Sequence, residues 1–400
     1  MRTGTRTALS VGLMVATAAV VAAVLVRRDL GESASEPTTS SAPDSSVTST
    51  TTTPPMIYAS GWNRLPDAPL DPRTFAVTAV VGDEVYVFGG SEYVCRPGDN
   101  CPLVGRVFRD GAAYHVVRGT WRAMADAPID VANASTAVIG DDIYLLSGFP
   151  EFGVEMRLLR YSTVADTWTE IGDLPDNLGL AMLAHRDRLV VFPVDGMIAG
   201  SDQWMLEPTS GTWSQLPDHG LPDDVSRWLY DTPSGLLLVA TDEQHAATIL
   251  RLADDESGWV TLTTGAVRGV RSSVVGDTLL FSPYAYDGSA GGVFDAGTLA
   301  WSALPTLPEG SGSTTTAIGL ITGAGTHITG RDGPVWDARA GVWLPMALVD
   351  GRDWPAIAGG RHGLLVFGGQ DWSTVVDTGG NDTESPLLAD AWLWVPPPPT

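Results

Sequence analysis

Short apolar runs broken by Gly-Asp or Gly-Gly turns recur along the chain from residue 56 onward. Phe75 to Val81 is followed by Gly82-Asp83 and then by Val85 to Phe88, which ends on Gly89-Gly90. The next stretch repeats the plan with Ala134 to Ile139 and Ile143 to Leu146. β-Branched and aromatic runs separated by Gly-Asp are a hairpin signal. A third run precedes a tryptophan, as Leu158-Leu159-Arg160-Tyr161 precedes Thr167-Trp168, and the tryptophan segment makes a fourth. Four short strands per repeated unit predict one blade of a β-propeller.

The unit recurs on a slowly shrinking beat. Trp62, Trp121, Trp168, Trp213, Trp259, Trp301 and Trp343 lie 59, 47, 45, 46, 42 and 42 residues apart, the period of a repeated supersecondary unit. Trp62 opens Trp-Asn-Arg-Leu-Pro-Asp-Ala-Pro-Leu-Asp and Trp121 opens Trp-Arg-Ala-Met-Ala-Asp-Ala-Pro-Ile-Asp, which aligns Asp67 with Asp126 and Asp71 with Asp130. The tryptophans are expected to pack between blades.

A diglycine after the second strand, with Thr-Trp or Thr-x-Trp opening the fourth, resembles the kelch repeat of the galactose oxidase central domain and related propellers. Val87-Phe88-Gly89-Gly90 and Val366-Phe367-Gly368-Gly369 carry the resemblance best, Ser147-Gly148 is a weaker match, and the third to sixth units lack the diglycine. The likeness covers Met56 to Pro396 and implies an all-β kelch-like propeller over 56–396, with 397–400 as a tail. After Trp343 the chain supplies Ala356 to Gly360, Leu364 to Phe367 and Ala391 to Val395, three strands without a fourth. The segment at Trp62 has no earlier partners. Open edges are an aggregation hazard, so Trp62 to Leu65 is expected to complete the last blade, giving seven blades closed by an N- to C-terminal clasp. A six-bladed ring is the fallback if one degenerate beat is wrongly assigned.

Ahead of the repeats, Ala8 to Val26 form 19 residues without a charge, flanked by Arg2, Arg6 and Arg27-Arg28. Such a run can span a bilayer with its basic end inside. Residues 1–28 therefore read as a signal anchor that leaves a monomeric propeller extracytoplasmic. Cleavage as a secretory signal, with Ala16-Thr17-Ala18 as the site, is the alternative. Residues 29–55 have no aromatic residue and are dominated by Ser, Thr and Pro, a composition that reads as a disordered tether or O-glycosylated stalk. Outside the membrane, Cys95 and Cys101 in Cys-Arg-Pro-Gly-Asp-Asn-Cys read as a local disulfide. The net charge of −24 argues against nucleic acid, which needs a basic surface. All 23 basic residues are arginine, and with abundant Ala, Asp and Gly this suggests a high-GC bacterial genome.

Two connections between second and third strands are long, Ser91 to Arg109 and Gln370 to Leu388. They belong to the first and last units, neighbours in a closed ring, and long connections on a rigid scaffold are where binding residues gather. The same two units carry Asp71, Arg73 and Phe75 in register with Asp350, Arg352 and Trp354. Arginines there resemble those that kelch propellers present on their binding face, where a planar guanidinium can grip a partner's carboxylate. The competing reading is that each braces its own turn by pairing with a nearby aspartate. Tyr93 and Trp372 are candidate anchors for a sugar ring or a peptide.

These residues point to a membrane-tethered module that binds a surface protein or a glycan, touching the membrane only through its N-terminal helix and needing no cofactor or metal. The rival class is a carbohydrate-active enzyme on the same scaffold. Galactose oxidase needs His and Tyr copper ligands and a Tyr-Cys thioether, whereas the six histidines here form no close-spaced pair and both cysteines sit in one connection. A sialic acid epimerase resemblance is harder to separate, with Asp223, Asp224, Arg227, Arg268 and Arg271 available but no spacing that selects an acid–base pair.

Overall fold

The structure, a computed structural model, describes residues 55–398 apart from 93–104, 133, 150–153, 173, 176–180, 194–201, 223–224, 243–245, 269, 283–290, 305–317, 323–324, 330–334, 338–340, 345, 347–351 and 372–385. The predicted anchor, nearly all of the tether, Tyr93, Cys95, Cys101, Asp350 and Trp372 fall outside the described residues. Among the described residues every regular element is a strand, and no helix is long and apolar enough to cross a membrane.

Thirty strands among the described residues form seven four-stranded antiparallel sheets and one two-stranded ladder. The first sheet runs Val77–Val81, Glu84–Phe88, Gly111–His115, Thr120–Met124 in sequence order, and five more sheets follow the same meander. The last sheet consists of Ala356–Gly360, Gly363–Phe367 and Ala391–Val395, completed from the other end of the chain by Gly61–Arg64. That strand pairs Trp62 with Trp394 and Arg64 with Trp392, which is the expected clasp. The architecture is an all-β propeller.

Each sheet is covered on both faces by its neighbours, so its inner strands read as continuous apolar runs rather than as an alternation. The period of two still operates. Along Glu84–Phe88, Tyr86 and Phe88 pack with Val131, Ile143 and Tyr161 toward the second sheet, while Val85 and Val87 pack with Leu365 and Phe367 of the last. Further clusters join the second sheet to the third, the third to the fourth and the fourth to the fifth. Two smaller ones join the fifth to the sixth and the sixth to the last. Side chains such as Phe88 and Tyr161, fully removed from water, contribute about 2–3 kcal/mol each to this packing.

The tryptophans pack between sheets as expected, and they also tether. Trp121 Nε1 donates to Pro66 O at 2.8 Å, Trp168 Nε1 to Ala125 O at 2.9 Å and Trp259 Nε1 to Pro217 O at 2.9 Å. Each indole thus ties its outer strand to the segment leaving the preceding sheet. The diglycines serve close approach. Gly89 and Gly90 have φ 65° and 95°, Gly368 and Gly369 have 64° and 98°, and a Cβ on Gly368 would stand 2.6 Å from Arg73 O at the entry to the first sheet. One strand starts later than its apolar run suggests. Phe75 lies outside the first strand because its φ of 54° turns the chain there.

Candidate functional site

The first and last sheets meet where the two long connections begin and end. Both stems extend the sheets. Ser91 bridges Val107, and Glu92 N donates to Arg106 O at 2.9 Å. In the last sheet Gln370 bridges Leu387, and Asp371 N donates to Pro386 O at 3.1 Å. The second stem is also bonded to the entry of the first sheet. Arg73 N donates to Leu388 O at 3.1 Å and Gly369 N donates to Arg73 O at 2.9 Å. The sequence expectation that these connections share one rim therefore holds at their bases.

Arg73 and Arg352 stand at equivalent places, as their register predicts, but they do not face outward. Arg73 is 1% exposed. Its guanidinium makes a fork to Asp110 at 2.8 and 3.0 Å, donates to Gly89 O at 2.9 Å and, through Nε, to Asp71 O at 2.9 Å. It also lies 3.9 Å from the centre of the Phe108 ring, whose surroundings include Arg106 at 4.8 Å. Arg352 repeats the arrangement with Asp390, both bonds at 3.1 Å, and Gly368 O at 3.1 Å. Burial pushes the Asp390 carboxyl up, but the bonds from Arg352 and from Trp392 Nε1 outweigh it and hold the group below the usual carboxylate range.

This corrects the expectation that the two arginines grip a partner's carboxylates. A guanidinium already forked to a carboxylate and buried has no donor edge to offer a partner, so both are braces. The brace differs from the turn-local pairing considered above, because the partners lie 37 and 38 residues along the chain, and Asp71 supplies only its carbonyl. Asp110 and Asp390 were missed in the sequence. Their signal was available: each immediately precedes the third strand of its unit, at Gly111 and Ala391.

Phe75 and Trp354 stack with ring centres 5.0 Å apart and planes 28° from parallel. Both take φ 54°, and Phe75 N donates to Trp354 O at 3.2 Å. Bulky residues rarely adopt that conformation and persist in it only where their surroundings impose it. On the exposed rim, Arg106 lies 3.7 Å from Asp71 and 3.8 Å from Glu92, and Arg109 lies 2.6 Å from Asp130. These side chains are all more than one third exposed, so each pair contributes at most about 1 kcal/mol and can exchange its partner.

At the opposite end of the sheets, Asp83 accepts from Arg361 and from His362, and His185 Nδ1 lies 2.6 Å from Asp231. Among the described residues no group of three or more His, Cys, Asp and Glu could hold a metal ion. Asp223 and Asp224 lie outside the described residues, as do the side chains of Arg268 and Arg271. Arg227 stands 2.9 Å from His219.

The sheets and their stems define a β-propeller with an asymmetric rim. No protein-family model matches the chain. The chain is similar to the kelch-like protein terF of Aspergillus terreus, 24% identical over 188 residues, which is 41% of this chain and 39% of that protein. The similarity thus spans well under half of that relative's length. Together with the four-stranded sheets and the diglycines at 89–90 and 368–369, it supports the kelch-repeat propeller family.

Proposed function

We propose that this chain is a protein-binding module: a closed, seven-bladed, kelch-like propeller that receives its partner on the rim over the seam between the first and last blades. The observation that carries the reading is that Arg73 bonds Gly89 and Asp110 through its side chain and Gly369 and Leu388 through its main chain, which sets the bases of the two long connections side by side. Seven four-stranded sheets with a core cluster at each junction support the ring. The partner meets Asp71, Glu92, Arg106 and Asp130 at the surface, with Tyr93, Asp350 and Trp372 as further candidates from the sequence. The uncharged run at 8–26 supports membrane tethering with the propeller outside.

The test is proximity labelling with the full chain in its native membrane, against Asp71→Arg/Glu92→Arg. Both side chains are exposed, so substitution should leave the fold within about 0.5 kcal/mol. A labelled protein lost in the variant supports the reading. Equal labelling by both chains would falsify it.

A further inference from the structure

The side chain and the main chain of Arg73 hold different connections. The guanidinium binds Gly89 O and Asp110, which flank the 91–109 connection. The main chain binds Leu388 O and the amide of Gly369, which flank the 370–388 connection, and Leu388 N donates to Gly369 O at 2.9 Å. Thr74, the next residue, exchanges both hydrogen bonds with Ser91. Arg352 is different: its guanidinium clamps Gly368 O and Asp390, while its main chain pairs with Asp371 in the same connection.

A long connection costs entropy to close, and a clamp across its base keeps its ends registered. Displacing a buried guanidinium would leave a carboxylate and a carbonyl without their donors, so such a clamp resists movement. A clamp whose own backbone is bonded to a second stem must carry that stem with it. We propose that Arg73 is a positioning residue that couples the stems of the two connections, so that a displacement of one stem is transmitted to the other. The proposal deepens the reading of this rim as a binding surface and rests on it for its functional meaning.

Hydrogen exchange of the full chain, read by mass spectrometry on wild type, Arg73→Met, Arg352→Met and Asp110→Asn, tests it. Methionine keeps apolar contact with Phe108 but has no donors. Arg73→Met is expected to speed exchange about tenfold or more at the stem residues Glu92 and Phe108 and also at Gly369 and Leu388, with Val77–Val81 unchanged. Arg352→Met should act on Gly369 and Leu388 alone, because the Arg73 clamp remains. Asp110→Asn should reproduce the two-stem pattern more weakly, and it decides the matter if Arg73→Met does not fold. Acceleration confined to Glu92 and Phe108, or spread evenly over the first sheet, overturns the coupling. Failure to capture a partner would sink the binding reading while leaving this exchange pattern to stand or fall by itself.

Discussion

Gly89→Ala measures how closely adjacent blades approach. Gly82 is the control: its φ is 59° and an added Cβ would meet nothing within 4 Å, so Gly82→Ala carries only the cost of a left-handed alanine, about 1–2 kcal/mol. Gly89 has a similar φ of 65°, but an added Cβ would stand 2.7 Å from Val131 Cβ and closer still to Val131 O. Relieving that overlap requires a backbone shift, with overpacking costs of about 1–3 kcal/mol. It also strains the bond from Gly90 N to Val131 O, 2.6 Å long, which adds up to about 1 kcal/mol. Gly89→Ala should therefore lose about 1–4 kcal/mol more than Gly82→Ala. Urea unfolding followed by tryptophan fluorescence reads the difference from the midpoints at a common slope. If the two variants unfold within about 0.5 kcal/mol of each other, the diglycine is not there for close approach.

Glu84 accepts hydrogen bonds from Arg122, at 2.8 and 3.2 Å, and from Tyr86 at 2.6 Å. The Arg122 bonds are the main reason its carboxyl is held below the usual range. Its stabilisation is present above the unfolded value of about 4.3 and is lost as pH falls through the folded value. Glu84→Gln should cost up to about 1 kcal/mol at pH 7, since Arg122 is partly exposed, with the gap closing as the pH falls below the ordinary glutamate range; a gap independent of pH would contradict this. Deleting residues 1–65 removes the outer strand of the last sheet and the Trp62 contacts with Leu364, Val366 and Trp394. The product should aggregate on size-exclusion chromatography and lose cooperative unfolding, and a monomer that melts within a few degrees of the full chain would show that the clasp is dispensable.

The repeat was legible because each sheet is built from local contacts: runs such as Val85 to Phe88 and Leu364 to Phe367 lie within a residue of the observed strands. The clasp was legible from strand arithmetic and the cost of an open edge. The arginines were placed correctly in register, and of the two readings the bracing one fits the geometry, with partners other than the nearby aspartates. Register depends on neighbours in sequence, but orientation depends on a partner far along the chain, and Asp110 and Asp390 become partners only once the third strand has returned beside the first. The turn at Phe75 was hidden for the same reason, since the ring and carbonyl it meets belong to Trp354, near the other end of the chain.

Six junctions join sheets that follow one another along the chain, so continuity of the backbone limits how far they can separate. The junction between the last and first sheets has no such link except through the clasp. Further bonds hold it, as Thr136 Oγ1 to Thr78 O, Ser135 Oγ to Met182 O and Arg188 to Glu256 hold other junctions. Besides the strand Gly61–Arg64, Thr78 Oγ1 donates to Ile357 O at 2.8 Å, Asp83 receives Arg361 and His362, and Arg73 bonds Gly369 and Leu388. A junction bonded in this way fixes the ends of the two long connections, which lowers the entropy cost of closing them. The clasp and the Arg73 bonds thus meet at the same two sheets from which the two long connections rise.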